Sequence, residues 1–365
     1  MTATIAIFSA NQGHASLALA AKAALTPLGR IVVHHETMAL HRSYVALYRW
    51  MPSLFAVPYR LSALPMLYQG SRAYFKAMYQ ARLATFLDEH RPDLCLSTYF
   101  GYNAALESQC RQRGLPLLNV MANPVSTHRL EVVAPTAVNL TLDGAQSAQC
   151  LRLCPGARTE DIGWLTRPEF FEPVDKTDAV RQLGWSADRP IVAFSAGSDG
   201  NGAVLQLVRG LVERRVAVRC VVLCGNNANL LAQVQAVADP SGACLVHAVG
   251  YTREVSRYVA AANLVVGKAG PNSLFEAVAM HTPFLCISHV AGQEDGNLDL
   301  IRGAALGWVE EDPDRALTLL VSLLADPTRM TGQASGLTAM AERLRRAPQK
   351  LLDCARRELE GRLAR

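Results

Sequence analysis

The chain has 365 residues, of which 50% are hydrophobic and 18% charged, with a formal net charge of +5. That composition excludes a disordered chain, and the length exceeds what one hydrophobic core usually organises, so two domains are expected. Nine cysteines, an odd number with no Cys-x-x-Cys among them, argue against a disulfide framework or a zinc module and for reduced thiols in a cytosolic protein. The N-terminus has neither the basic region nor the apolar core of a signal peptide, and no window reads as a spanning helix.

Thr4 to Ser9 reads as a buried first strand, followed by a glycine loop, Ala10 to His14, and an alanine-rich helix to about Leu25. From Thr37 to Leu87 there is no acidic residue, whereas Arg42, Arg49, Arg60, Arg72, Lys76 and Arg82 are basic and ten aromatic residues are concentrated there. A basic, aromatic, acid-free stretch describes a surface that meets an anionic membrane. The competing reading is a helical pair with about half of its rings in a core; prolines 52, 58 and 65 break the pattern and fit no nucleic-acid module. Pro92 to Thr98 and Leu117 to Met121 continue as parallel strands, Asn139 to Asp143 as a late strand, and Gly163 to Pro173 as a connection carrying two prolines.

The second half repeats the plan of strand, glycine loop and helix. Pro190 to Ser195 is its first strand, followed by Ala196 to Gly202, which lacks the dinucleotide Gly-x-Gly-x-x-Gly order. Arg219 to Gly225 and Ala243 to Val246 extend the sheet. Asn263 to Val266 and Pro283 to Ile287 are short apolar runs enclosing Gly267 to Ser273 and a helix from about Leu274 to Met280. A loop between a strand end and a helix start directs backbone N–H groups and the helix dipole at its guest, for which phosphate is the natural choice. Gly270 allows close approach, Pro271 forfeits no needed donor, and Ser273 is placed to cap. Glu276 has two readings, the carboxylate of a Ser273-x-x-Glu276 capping box or the holder of a ribose diol. The next loop, Gly292-Gln293-Glu294-Asp295-Gly296-Asn297, gathers carboxamides and carboxylates suited to a polyhydroxylated ligand; the alternative makes Asn297 a helix N-cap and the rest a solvated turn. Phosphate together with a polyol points to a nucleotide sugar. Asp312-Pro313-Asp314 has the form of a metal-binding Asp-x-Asp but precedes a helix and reads as structural. The tail from Ala341, with eight basic and four acidic residues, reads as a solvated helix face.

Gly250-Tyr251, then Lys268-Ala269-Gly270-Pro271-x-Ser273-x-x-Glu276-Ala277, then Gly292-Gln293-Glu294-x-Gly296-Asn297, together resemble the donor half of the monogalactosyldiacylglycerol synthase-like family, inverting glycosyltransferases of family 28. The resemblance runs over most of residues 3 to 330 and implies an α/β GT-B fold, two doubly wound Rossmann-like domains facing a cleft. Residues 1–168 would bind the acceptor, 169–335 the nucleotide sugar, and 336–365 would form a helix crossing back to the first domain. It implies that Gly13-His14 lies at the cleft, with His14 the base that activates the acceptor hydroxyl, although a histidine at a helix start also caps or packs. His128 matches a family histidine, whereas Asn123 stands where the family has aspartate, which leaves the division of acid–base work open. The resemblance further implies that Gly197 and Gly200 lie beneath the donor diphosphate and that Gly250-Tyr251 grips uracil through backbone groups.

The expected function is thus metal-independent, inverting transfer from a UDP-sugar to a lipid or other hydrophobic hydroxyl acceptor, with no cofactor beyond the donor. The acceptor residues are Gly13, Asn123 and His128. The donor residues are Gly197, Gly200, Gly250, Tyr251, Gly270, Pro271, Asn272, Ser273, Glu276, Gln293, Glu294 and Asn297. The protein is expected in the cytoplasm, peripheral on the inner face of an anionic membrane, without a nucleic-acid partner. The alternatives are a glycosyltransferase for a soluble natural-product aglycone, a non-catalytic nucleotide-sugar or lipid-binding protein, and a sugar-nucleotide epimerase of the same architecture.

Overall fold

The computed structural model describes residues 2–10, 13–36, 64–196 and 202–364. Two units emerge, one made of Met1–Pro168, Ala291–Gln293 and Arg343–Arg365, the other of Glu169–Val290 and Glu294–Glu342.

The first unit contains six parallel strands, β1 (Ala3–Ala10), β2 (Gly29–Glu36), β3 (Leu94–Ser97), β4 (Leu117–Val120), β5 (Ala137–Thr141) and β6 (Arg158–Asp161), in the order β2-β1-β3-β4-β5-β6. Its helices are α1 (Gly13–Leu25), α2 (Pro65–His90), α3 (Phe100–Arg113) and α4 (Gly144–Leu153). The central strands are near-continuous apolar runs because helices cover the sheet's faces, whereas the edge strand β6 is the polar run Arg158-Thr159-Glu160-Asp161. Phe8 packs edge-on against Tyr102 of α3, which in turn meets Tyr79 of α2 at a ring-centroid distance of 4.8 Å. Strand β5 lies two residues earlier than the sequence pattern predicts, because Asp143 leaves the ladder to cap α4 by accepting from Gln146 N at 3.0 Å.

Helix α2 tests part of the acid-free stretch. Arg42, Arg49 and Arg60, with the rings of Tyr44, Tyr48, Trp50, Phe55 and Tyr59, lie outside the described residues. Pro65 occupies the first turn of α2, where its missing N–H costs nothing, and so starts the helix instead of breaking it. Tyr68 and Tyr79 are buried and Tyr74 is 53% exposed; Leu64 and Leu67 are also exposed. Arg72 is not available to an anionic surface, since it pairs with the buried carboxylate of Glu107 and donates to Tyr68 Oη.

The second unit contains β7 (Ile191–Ser195), β8 (Val218–Gly225), β9 (Cys244–Gly250), β10 (Leu264–Lys268), β11 (Phe284–Ser288) and β12 (Gly307–Val309), ordered β12-β11-β10-β7-β8-β9 and all parallel. Counted within the unit this is the 3-2-1-4-5-6 order of a doubly wound dinucleotide-type sheet. Its helices are α5 (Lys176–Gln182), α6 (Gly202–Glu213), α7 (Ala228–Gln235), α8 (Val255–Ala261), α9 (Pro271–Ala279), α10 (Asp295–Gly303), α11 (Pro313–Ala325) and α12 (Thr328–Thr331). The core joins Val192, Phe194, Val222 and Leu264 to Val204 and Leu211 of α6 and Leu320 of α11. Helices α6 and α11 approach so closely that a Cβ on Gly210 would lie 2.3 Å from Leu317 Cδ2.

Cys220 and Cys224 lie on β8 and not on a helical turn, because the run between them is apolar and β-branched. All nine cysteines are free thiols. Asp312 caps α11, accepting from Arg315 N at 2.9 Å. The last helix, α13 (Ala334–Leu363), is not merely solvated: within the first unit Arg343 pairs with Asp143, Arg357 with Glu160, Glu358 with Arg158, and Arg362 with Asp93.

Candidate active-site residues

In open parallel sheets ligands bind beyond the carboxyl ends of the strands, at the point where strand order reverses. That point lies between β1 and β3 in the first unit and between β7 and β10 in the second.

At the first reversal the chain leaves β1 and enters α1 at Gly13, placing His14 in the opening turn. His14 Nδ1 lies 2.5 Å from the carbonyl of Thr98, just beyond β3. A carbonyl only accepts, so Nδ1 carries the proton and the lone pair of the neutral ring resides on Nε2. Thr98 Oγ1 donates to the carbonyls of Phe8 and His14, and the Tyr99 ring stands edge-on to the imidazole at 5.1 Å. Burial brings the imidazole down to about 4, outweighing the Thr98 carbonyl, so it is neutral at physiological pH.

Asn123, beyond β4, is buried and fully engaged. Its Nδ2 donates to Glu131 Oε1, its Oδ1 accepts from Gln293 Nε2 at 3.1 Å, and its carbonyl accepts from Gln146 Nε2 at 2.5 Å. Asn103 and Asn119 both donate to the Glu131 carbonyl, and Asn119 also donates to Asn139 Oδ1 at 2.8 Å. Glu131 ends a short 3-10 turn, Arg129–Glu131, and burial raises its carboxyl to about 8. His128 caps that turn, its Nδ1 accepting from Leu130 N at 3.1 Å. With Nδ1 an acceptor, the neutral ring holds its proton on Nε2, so His128 has no lone pair left to serve as a base.

At the second reversal, helix α9 begins at Pro271 with Gly270 as its N-cap, not at Leu274. Ser273 is therefore in the first turn and is not a cap; its Oγ lies 3.0 Å from Ser195 Oγ at the end of β7. The capping-box reading of Glu276 fails with it, because Pro271 supplies an earlier start. Asn272 and Glu276 are half-buried on the first two turns. Helix α10 likewise starts at Asp295, ahead of Asn297. Asn297 is buried and donates from Nδ2 to the carbonyl of Ala269 at 2.8 Å, tying α10 to the loop that precedes α9. Glu294, also buried, pairs with Lys268 Nζ at 2.5 Å through Oε1 and accepts from Val290 N at 2.7 Å through Oε2. Gly250 ends β9, Tyr251 beside it is 69% exposed, and Gly197 and Gly200 lie outside the described residues.

The structure thus brings together Gly270, Pro271, Asn272, Ser273, Glu294 and Asn297 in the second unit, and His14 with Thr98 in the first. Sequence reasoning passed over Glu131 and named Lys268 in the motif without giving it a role. Glu131 had a signal, a lone carboxylate in the apolar stretch from Leu130 to Val133; Lys268, at the end of an apolar strand, had one too. Among the described residues no group of three or more His, Cys, Asp or Glu is placed to hold a metal, and no helix is long and apolar enough to cross a membrane.

Residues 191–300 match the glycosyltransferase family 28 C-terminal domain. The chain is 30% identical over 257 residues to a UDP-N-acetylglucosamine--N-acetylmuramyl-(pentapeptide) pyrophosphoryl-undecaprenol N-acetylglucosamine transferase of Clavibacter sepedonicus, covering 67% of this chain and 66% of the relative. A probable chloroplastic monogalactosyldiacylglycerol synthase of Glycine max is 25% identical over 293 residues, 75% of this chain and 53% of the relative. The chain therefore spans about two thirds and half of the length of these relatives. Among solved structures, MurG of Acinetobacter baumannii superposes with a TM-score of 0.59 at 15% identity, covering 97% of this chain and 99% of that one. The two sheets and their strand orders are those of the GT-B fold.

Proposed function

Starting from the membership of residues 191–300 in the glycosyltransferase family 28 C-terminal domain family, we propose that the chain transfers a sugar from a UDP-sugar to a hydroxyl of a lipid or other hydrophobic acceptor, inverting the anomeric centre. The observation that carries this reading is the second strand-order reversal. There the loop Ala269-Gly270 and the start of α9 are braced by Asn297 and by the Lys268–Glu294 pair. The leading N–H groups of α9 and its dipole stabilise the departing diphosphate, so the displacement proceeds without a metal. Glu276 takes the ribose hydroxyls, Gly250-Tyr251 the base, and Gln293 the sugar; Gly197 and Gly200 contribute to the diphosphate.

His14 receives the acceptor proton on Nε2, the nitrogen that its bond to Thr98 leaves with the lone pair. A base held near 4 is weak toward a resting hydroxyl, and it receives the proton late, once bond formation to the anomeric carbon has made the hydroxyl acidic. The exposed Leu64 at the N-cap of α2, with Leu67 and Tyr74 on the helix, supports peripheral attachment to a membrane on the cytoplasmic side, together with the basic residues of the segment before it. The test is a thermal-shift screen of UDP-sugars. A donor at a hundred times its dissociation constant adds about 2.7 kcal/mol to stability. No shift with any UDP-sugar, alongside a shift with an unrelated nucleotide, would overturn the donor assignment.

A further inference from the structure

Glu131 is 5% exposed, and its carboxyl is half satisfied: Oε1 accepts from Asn123 Nδ2, while Oε2 is buried without a hydrogen-bond partner. Among the described residues no cation lies within ion-pairing distance of it. Arg129, in the same turn, stacks on the Tyr68 ring at 4.6 Å and faces the Cys154 thiol. His128 is occupied as the cap of the turn, and the group that α4 turns toward Glu131 is the Cys150 thiol. Asn123 is spent on both sides, as a donor toward Glu131 and an acceptor from Gln293. Its orientation is therefore dictated, because reversing the amide would set oxygen against oxygen and nitrogen against nitrogen.

We propose that Glu131 is a positioning residue, which fixes the Asn123 carboxamide and through it holds Gln293 in the orientation that grips the donor sugar. The proposal rests on the donor role given to Gln293 above. It also accounts for asparagine at 123, since an amide is the side chain that donates to Glu131 while accepting from Gln293. Burial raises the Glu131 acid to about 8, against the hydrogen bonds from Asn123 and the His128 backbone, which lower it.

The test uses the full chain carrying Glu131→Gln, Glu131→Leu, Gln293→Ala, and Glu131→Leu with Gln293→Ala. Glutamine keeps an acceptor for Asn123, so its donor KM is expected within about twofold of the wild type. Leucine removes the acceptor, and the donor KM is expected to rise about fivefold or more with kcat changed less, while discrimination between UDP-sugars narrows. Gln293→Ala in the leucine background is expected to add nothing further, because the same grip has already been lost. Unchanged donor KM in Glu131→Leu, or full additivity with Gln293→Ala, would overturn the proposal. A second readout needs no transfer activity: isotope-edited infrared titration should show Glu131 protonated at pH 7, and further raised by Asn123→Ala, which removes the bond that favours the anion. A Glu131 titration left unchanged by Asn123→Ala would overturn the proposal by itself, because the Asn123–Glu131 bond would then not be made. A chain that binds no UDP-sugar yet titrates as expected would count against the transferase reading and leave the Asn123–Glu131 arrangement standing.

Discussion

The carboxyl ends of the two sheets differ in how far their polar groups are met. In the second unit most of them answer one another, Asn297 Oδ1 apart: Lys268 is neutralised by Glu294, Glu294 also holds Val290, Ser195 meets Ser273, and Asn297 Nδ2 reaches back to Ala269. In the first unit Thr127 Oγ1, Arg129 Nε and Glu131 Oε2, three atoms within five residues, are buried without partners, and the histidine beside them is spent on a cap. The contrast separates two tasks. In the proposed function a site for a constant nucleotide diphosphate gains from rigid, preorganised donors, whereas the polar atoms left unmet at residues 127–131 cost stability.

The largest effect that would sharpen this contrast is in turnover. His14→Ala is expected to lower kcat by roughly a hundredfold to ten-thousandfold with little change in UDP affinity, measured by steady-state kinetics and calorimetry. An equal loss of UDP affinity would mean that the first reversal point serves the donor instead. On the other side, Glu276→Ala is expected to weaken UDP binding by about 1.5–3 kcal/mol while leaving thermal stability nearly unchanged, since Glu276 does not cap α9.

pH separates the two buried titrating groups of the first unit. With His14 neutral from about 4 upward, its proposed role as base predicts that the acid limb of kcat/KM falls near pH 4 and not near 6.5. Glu131 acts on stability: its acid is raised from 4.5 to about 8, so the folded state holds a proton that the unfolded state has released. Its stabilising contribution is complete below 4.5 and is lost as pH rises through 8, at up to about 1.4 kcal/mol per pH unit. Chemical denaturation of Glu131→Gln between pH 5 and 8 should show that slope removed. The smallest effect is at the surface. Arg49→Glu, Arg60→Glu and Lys76→Glu together should abolish sedimentation with anionic vesicles, each charge contributing about 1 kcal/mol, with UDP binding unchanged. Arg72 is unsuited to that test, because its pairing with Glu107 makes any change there a change in the core.

What the sequence made legible follows from what is local. Apolar runs between glycines marked β1, β7, β10 and β11, and the loop around Gly270 announced its place because a strand, a tight turn and a helix start are contiguous in the chain. The start of α9 was misplaced because Ser273 offered a cap while Pro271, two residues earlier, already fixed the first turn. Glu131 was passed over because its meaning is non-local: it depends on Asn123 eight residues before it and on asparagines of α3 and β4 that donate to its carbonyl. The same holds for His14, whose tautomer is chosen by a carbonyl 84 residues away.

The central claim is tested most directly by measuring nucleoside diphosphate release from a UDP-sugar in EDTA, with and without a diacylglycerol-type acceptor in vesicles, alongside analysis of the anomeric configuration of the product. The account predicts UDP release only with acceptor present, undiminished by the chelator, and a product of configuration opposite to that of the donor. Release that is abolished by EDTA and restored by Mn²⁺ or Mg²⁺, or a product of retained configuration, would contradict it.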